Sequence, residues 1–371
     1  LDETKSRLFS GTIFGIFNYV LMAFAMLIPT MYFSSLEISL VMFAFLLSIG
    51  DVFSFILKPV IGFLTDKNGE KRYLIIGGII FFMSMFLIGQ TTSVLWIAVL
   101  KVISGVASAL VFIMITIYSL RLVKSDPDSK IGFFVGITNI GWIFGLLIPG
   151  MFVDSFGTQP AFYLILLVGI VWVLLMAKFA KKSKETQKAI PSFSYIKKIP
   201  RFIIYKSMDL AMFSAFLFFF TRYALKTLGL SGSVVSMIVV TEVIFIVVTN
   251  LLVGKISNKR LRRFWVPLCI IFHLMAATTM VLASDIIHYY IVGAFIGIAG
   301  GFIDIWIFSK ISEKFGEHEK GKVIGTYGWS YDIATVAGAQ IPLLFVIAGL
   351  GTFTALYVFP VVMLIAYLIR R

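Results

Sequence analysis

An all-α membrane protein, twelve transmembrane helices in two pseudo-symmetric six-helix halves, is the fold this sequence predicts. Three observations carry it: a composition too apolar for water, twelve long apolar runs, and a one-sided placement of basic residues. The chain has 371 residues, of which 60% are hydrophobic and 13% are charged, and its mean hydropathy is +1.01. Soluble domains carry roughly 25% charged residues. Half that load cannot coat a water-facing surface of this size, which excludes a soluble enzyme, a disordered tail and a disulfide scaffold together. The single Cys269 cannot close an internal disulfide.

The apolar runs fall at about 8–33, 36–64, 73–90, 94–119, 130–153 and 160–177, then at 202–224, 233–254, 264–283, 288–309, 322–347 and 352–369. Each approaches or exceeds the roughly 20 apolar residues that one helical crossing needs. Barrel strands would alternate apolar and polar residues over about ten positions, and these runs do not. The first run is too long for the core of a cleaved signal peptide, and no small-x-small site follows it, so it is expected to remain as span 1.

With twelve crossings, 28 of the 32 Lys and Arg residues fall on one side. The largest group, Lys178 to Lys206, lies in the break between the sixth and seventh spans; the opposite loops hold only Lys226, with Arg222 near by. This is the positive-inside bias, and it places both termini in the cytoplasm. The net charge of +14 is therefore topological, and no nucleic-acid partner is expected.

The halves read as a repeat. Gly62 to Arg72 closes span 2 and Gly254 to Arg263 closes span 8, at an offset of 192; Lys130 and Lys322 share that offset, and Pro149 and Pro342 nearly do. The expected division is 1–180 for the first half, 181–201 for a cytoplasmic linker and 202–371 for the second. Repeats of this kind are a transporter architecture, with the substrate site near the midplane between them.

Charges inside a bilayer cost about 2.5–3.5 kcal/mol on insertion scales, so each one needs a reason. Asp51, Lys58, Lys101, Asp209, Arg222, Glu242, Asp304 and Asp332 lie in or near spans, whereas spans 3, 6, 9 and 12 carry none. The charged spans are expected to line a cavity and the others to face lipid, with Asn18, Tyr19, Asn139 and Trp142 joining the first set. At 1.5 Å per residue, Glu242 lies about 14 Å from the far end of its span, and Asp332, Asn18 and Asn139 lie at similar depth. Glu242 has no basic neighbour in its own helix. A lone carboxylate in low dielectric is costly when ionised and cheap when protonated, which suits a proton carrier. Asp51 has Lys58 two turns away and Lys101 within reach, so its carboxylate ranks second, and Asp332 third. Asp209 and Asp304 read as a structural charge cluster near the cytoplasm, His273 as a satisfied core residue, and Arg222 and Lys226 as snorkelling outward. Three His and one Cys spread along the chain support no metal site, and no cofactor is expected.

Residues 62–72 resemble the loop motif of the major facilitator superfamily, Gly-x-Leu-x-Asp-x-x-Gly-x-Lys/Arg, through Gly62, Leu64, Asp66, Gly69 and Lys71, with Arg72 following. The second copy has Asn258 where Asp stands in the first. The resemblance implies that Asp66 meets the N-terminus of span 11, around Val323–Gly325, and favours the outward-open state, as a carboxylate at a positive helix end. Span 4 is similar to the family's Arg-x-x-x-Gly motif, tied to proton coupling, with Lys101 for the Arg and Gly105 four residues on. Span 5 resembles the motif of the drug–proton antiporter branch through Gly132, Gly141, Gly145 and Pro149-Gly150, with Leu146 where Pro is usual.

Together these readings imply a secondary active transporter, not an enzyme: the sequence has no nucleophile–base constellation and no sizeable soluble domain. Proton-coupled export of a small organic or amphipathic compound by alternating access is expected. The alternatives are a facilitator or symporter of sugars, metabolites or organic ions, and a lipid or lipid-linked-sugar flippase. Glu242, Asp51 and Asp332 are the proton-coupling candidates. Asn18, Tyr19, Lys101, Asn139, Trp142 and Gln340 are the substrate-binding candidates; the amides suit hydroxyl-rich ligands and Lys101 suits an anion. Gly62, Asp66, Gly69, Lys71 and Arg72 form the expected conformational switch. The expected partners are a small-molecule substrate, protons and the lipid bilayer, for a monomer spanning the cell membrane.

Overall fold

The computed structural model describes residues 3–68, 70–122, 127–179, 193–255, 261–316, 323 and 326–369. Within its helices, the side chains of 3–12, 14, 61–68, 70, 112–122, 127–138, 179, 193–194, 254–255 and 312 lie outside the description.

The first half contains α1 (Glu3–Ser35), α2 (Leu40–Asn68), α3 (Glu70–Ile88), α4 (Val94–Leu122), α5 (Pro127–Phe156) and α6 (Phe162–Phe179). The second contains α7 (Pro200–Lys226), α8 (Gly232–Lys255), α9 (Trp265–Val281), α10 (Ile286–Lys314), α11 (Trp329–Ile347) and α12 (Phe353–Leu368). Ten of the described helical segments are long and apolar enough to cross a membrane, and two shorter apolar helices, α6 and α12, complete the expected twelve. Hydrocarbon leaves no water for backbone amides, so each span satisfies its own as a helix. The turns between spans use glycines with positive φ at Gly157, Gly229, Gly349 and Gly351, a conformation that side chains with a Cβ resist.

The halves are packed alike. In the first, α1 meets α5 and α6, α3 meets α4 and α6, and α2 meets α4. Six helices on, α7 meets α11 and α12, α9 meets α10 and α12, and α8 meets α10. Small residues set the closest crossings, because lipid tails are as apolar as Leu and helices associate by shape. A Cβ on Gly105 would overlap the Gly50 carbonyl, and one on Gly297 would overlap the Glu242 carbonyl. Both pairs are related by the offset of 192 read from the sequence. Between halves, α5 crosses α8 and α2 crosses α11.

Helices α3, α6, α9 and α12 carry rows of exposed apolar side chains, among them Ile79, Met83, Leu167, Leu174, Ile271 and Ile365. These are the uncharged spans expected to face lipid. By contrast α7 is mostly buried, and a π-helical turn over Phe216–Phe220 interrupts it at mid-length. Such turns often mark functional stretches of a helix.

Candidate functional site

A cavity of about 110 Å³ lies inside the first half, between α1, α2, α3 and α4, and is closed by Phe218 of α7 and by Tyr331, Asp332 and Thr335 of α11. Its apolar wall includes Met22, Met26, Leu47, Phe81 and Met85, and its polar wall Asp51, Lys58, Lys101, Ser104 and Ser108. A smaller space beside it is lined by Asn18, Leu21 and Phe82 and shares Met22, Phe81 and Ser108 with it.

Lys58 is ion-paired with Asp332 across 274 residues of sequence, and its ammonium also donates to the Gly328 carbonyl at 3.1 Å. Of the two cations within reach of Asp51 in the sequence, Lys58 is thereby committed to Asp332. Seven residues make about two helical turns, so Asp51 and Lys58 share a face of α2; α11 crosses that face nearer Lys58. Asp51 is half-buried, and Lys101 is the charged group that acts on it most strongly. No hydrogen bond or ion pair to Lys101 Nζ exists among the described residues, although this side chain is 7% exposed. Ser104 and Ser108 turn their hydroxyl protons to the carbonyls of Lys101 and Gly105.

The second half buries its charges in packed protein. Lys206 Nζ lies 3.0 Å from Asp209 and 2.7 Å from Asp304. His273 Nε2 stands 3.4 Å from Asp209, and Cys269 Sγ stands 3.6 Å from His273 Nδ1. The sequence assigns Lys206 to the basic break between halves; the structure corrects this, placing it in α7 at 3% exposure, one turn before Asp209. The spacing of Lys206 and Asp209, three apart, is the signal that could have found it. The possible ligand atoms of Asp209, Cys269 and His273 lie within 4.8 Å of one another, a grouping the sequence reading did not foresee. Lys206 already occupies Asp209, so a metal cation there would meet a positive neighbour. Glu242 is 4% exposed and feels Asp209, Lys206 and Asp304 through space, yet its carboxylate has no hydrogen-bond partner among the described residues. It lines neither cavity above, contrary to the expectation that it faces one, because α8 turns it toward α7 and α10.

A third cluster joins the halves at the end of the bundle away from the chain termini. Asp154, near the end of α5, accepts from Gly232 N at 2.6 Å, Ser233 N at 2.8 Å and Ser233 Oγ at 2.5 Å. It therefore caps the N-terminus of α8 from the other half, where free amides and the helix dipole favour a carboxylate. Arg222 donates to the Ile38 carbonyl at 2.8 Å and Lys226 to that of Leu36 at 3.1 Å. Rather than snorkelling freely, the two cations tie α7 to the α1–α2 turn.

The remaining expected site residues divide. Asn18 donates to Met22 Sδ at 3.4 Å in the smaller cavity. Tyr19 and Trp142 meet at 6.1 Å between ring centroids, and Trp142 meets Phe213 at 6.2 Å, an aromatic bridge to α7 outside both cavities. Gln340 is spent on the Ser48 hydroxyl at 2.8 Å and the Ala44 carbonyl at 3.3 Å, which fasten α11 to α2. Asn139 is half-buried and lines neither cavity. Of the expected switch, Lys71 donates to the Ala177 carbonyl at 2.6 Å, and Arg72 beside it is exposed. Gly69 and the side chain of Asp66 lie outside the described residues, as do Ile324 and Gly325 at the expected meeting point; Gly62 is described by its backbone alone.

The Major Facilitator Superfamily profile matches residues 8–339. Multidrug resistance protein 2 of Bacillus subtilis is 23% identical over 305 residues, which cover 77% of this chain and 75% of that one. The proton-coupled antiporter flippase LtaA of Staphylococcus saprophyticus is 26% identical over 257 residues, 66% of this chain and 63% of that one. Among solved structures, the human organic anion transporter MFSD10 (TETRAN) superposes with a TM-score of 0.73 at 12% identity, covering 99% of both chains. The nucleoside transporter NupG superposes with a TM-score of 0.67 at 14% identity, covering 98% of this chain and 99% of that one. At such identities the structural likeness speaks to the fold.

Proposed function

We propose a function for this chain on one premise: it belongs to the major facilitator superfamily, a family of transporters. We read it as a secondary active transporter whose two halves rock about the cavity, exporting a small organic or amphipathic compound in exchange for protons. The observation that carries the coupling is Glu242, a buried carboxylate without a hydrogen-bond partner among the described residues, on a span packed against the other half. Ionised there, it is expensive; protonated, it is cheap. A rocking motion that exposes it alternately to the two sides turns this difference into proton transport. Similarity to a multidrug resistance protein and to a proton-coupled antiporter flippase supports the same reading. Asp51 is the second candidate, because it is half-buried at the cavity with Lys101 opposite. Asp332 comes third, since Lys58 neutralises it. Asp66 remains the proposed switch at the terminal side of the bundle. The positive-inside bias makes that side cytoplasmic and the Asp154 cluster extracellular.

The test is substrate movement in proteoliposomes. Glu242→Gln is expected to retain exchange of substrate and to lose accumulation driven by a proton gradient. Parent-like accumulation by Glu242→Gln under that gradient removes Glu242 from coupling. Transport by the parent that ignores the gradient favours a facilitator instead.

A further inference from the structure

The cavity in the first half is lined by two cations and two carboxylates, of which only one pair is in direct contact. Lys58 is neutralised by Asp332. Asp51 is half-buried and lines the same cavity, without a hydrogen bond or ion pair to Lys101. Lys101 is nine-tenths buried, lines the same cavity, and has no acceptor within hydrogen-bonding distance among the described residues. Its three ammonium protons are donors available to whatever fills the cavity. The neighbouring Ser104 and Ser108 hydroxyls donate to α4 carbonyls, and neither is hydrogen-bonded to Lys101 Nζ. The apolar wall of the cavity includes Met22, Met26, Phe81, Met85 and Phe218. Thioether and aromatic side chains there adapt to apolar groups of different shape. A volume near 110 Å³ is of the order that holds a single aromatic ring, as a dry engineered cavity of about 150 Å³ holds benzene.

We infer that the substrate is an organic anion with an apolar body. Its acidic group accepts from Lys101 Nζ, and its body lies against the methionines and Phe218. The inference rests on the transporter reading but not on proton coupling. An arginine at position 101 would keep the positive donor, and a glutamine would keep a donor without the charge. The shared chemistry, one acidic group on an apolar body, is offered by a soluble carboxylate and by an acidic lipid that enters from the bilayer.

The test is equilibrium binding to the full chain in nanodiscs of zwitterionic lipid, with benzoate, benzyl alcohol and benzylammonium as probes. Benzoate is expected to bind at least about tenfold more tightly than either ring analogue. Lys101→Gln should abolish that preference and Lys101→Arg should keep it. Nanodiscs containing phosphatidate separate the sources: loss of benzoate binding there assigns the lipid, and unchanged binding assigns the soluble anion. Benzylammonium binding as tightly as benzoate, or a preference for benzoate that survives Lys101→Gln, overturns the inference. If Lys101→Gln does not fold, the ranking of the three probes on the parent decides it. No gradient is involved, so failure here leaves the Glu242 result standing, and loss of coupling in Glu242→Gln leaves the anion site standing.

Discussion

In the first half, Lys101 and Asp51 line one cavity without a hydrogen bond or ion pair between them, while in the second half Lys206 is wedged between Asp209 and Asp304 in packed protein. The helices that carry these groups are arranged alike. Gly105 crosses Gly50 as Gly297 crosses Glu242, at the same offset, so the two backbones make one crossing twice. The side chains then diverge. Lys101 has Gly293 as its counterpart, and Gly50 has Glu242. A long cation on α4 needs space and a counter-charge, whereas a glycine on α10 lets α8 close in. The repeat therefore supplies a common frame, and single substitutions on it separate an open polar site from a sealed one. The open site suits a ligand that comes and goes, and the sealed one suits a charge balance that holds three helices together.

The largest expected effect tests whether the second cluster is sealed. Lys206→Met leaves Asp209 and Asp304 without their shared cation, and uncompensated buried charges of this kind cost about 3–5 kcal/mol. Lys101→Gln removes a cation that has no direct partner and is expected to change stability far less. Thermal unfolding of the two variants in one detergent should separate them clearly. Equal melting temperatures would mean that the halves hold their charges in the same manner.

A smaller effect tests the common frame. Gly105→Ala and Gly297→Ala each drive a methyl into a backbone carbonyl of the facing helix. Overpacking typically costs about 1–3 kcal/mol, and the two losses should be alike. A tolerated Gly297→Ala beside a damaging Gly105→Ala would show that the crossings are not equivalent.

The smallest effects concern the two ends of the bundle, and their signs are opposite. Asp154→Ala removes the cap on α8 and should cost the closed distal end about 0.5–2 kcal/mol. Asp66→Asn should weaken its proposed helix-end contact by about 0.3–1 kcal/mol. Spin labels at Thr158 and Gly229 should move apart on average in Asp154→Ala. In Asp66→Asn they should stay together or draw closer. The same direction of change in both variants would remove one of the two from the switch.

Much of the fold was legible from the chain alone, and the reason is the bilayer. Spans 3, 6, 9 and 12 lack charge in the sequence and present apolar rows in the structure, because hydrocarbon acts on each helix separately. The charged site was legible in its membership and not in its pairing. Asp51, Lys58, Lys101 and Asp332 were all marked, but the sequence left open whether Lys58 or Lys101 answers Asp51, and Lys58 stands on Asp332. Gln340 was marked as a ligand group and is a fastener between α2 and α11. Lys206 was hidden among the lysines of the linker, where charge counting could not tell a buried cation from a solvated one. Asp154 gave no signal at all, since its partners are backbone amides of a helix in the other half.

The sequence by itself determined the number of spans, their polar and apolar classes, the side that carries the basic loops and the repeat. These are properties of composition and order, and a bilayer reads them span by span. Only the tertiary structure decided which carboxylate answers which cation and which cation is left over. That choice depends on distances of a few ångströms between helices as much as 274 residues apart in the chain. Helix crossings set by close-packed glycines fix those distances, and in low dielectric an ångström or two separates an ion pair from two charges held apart.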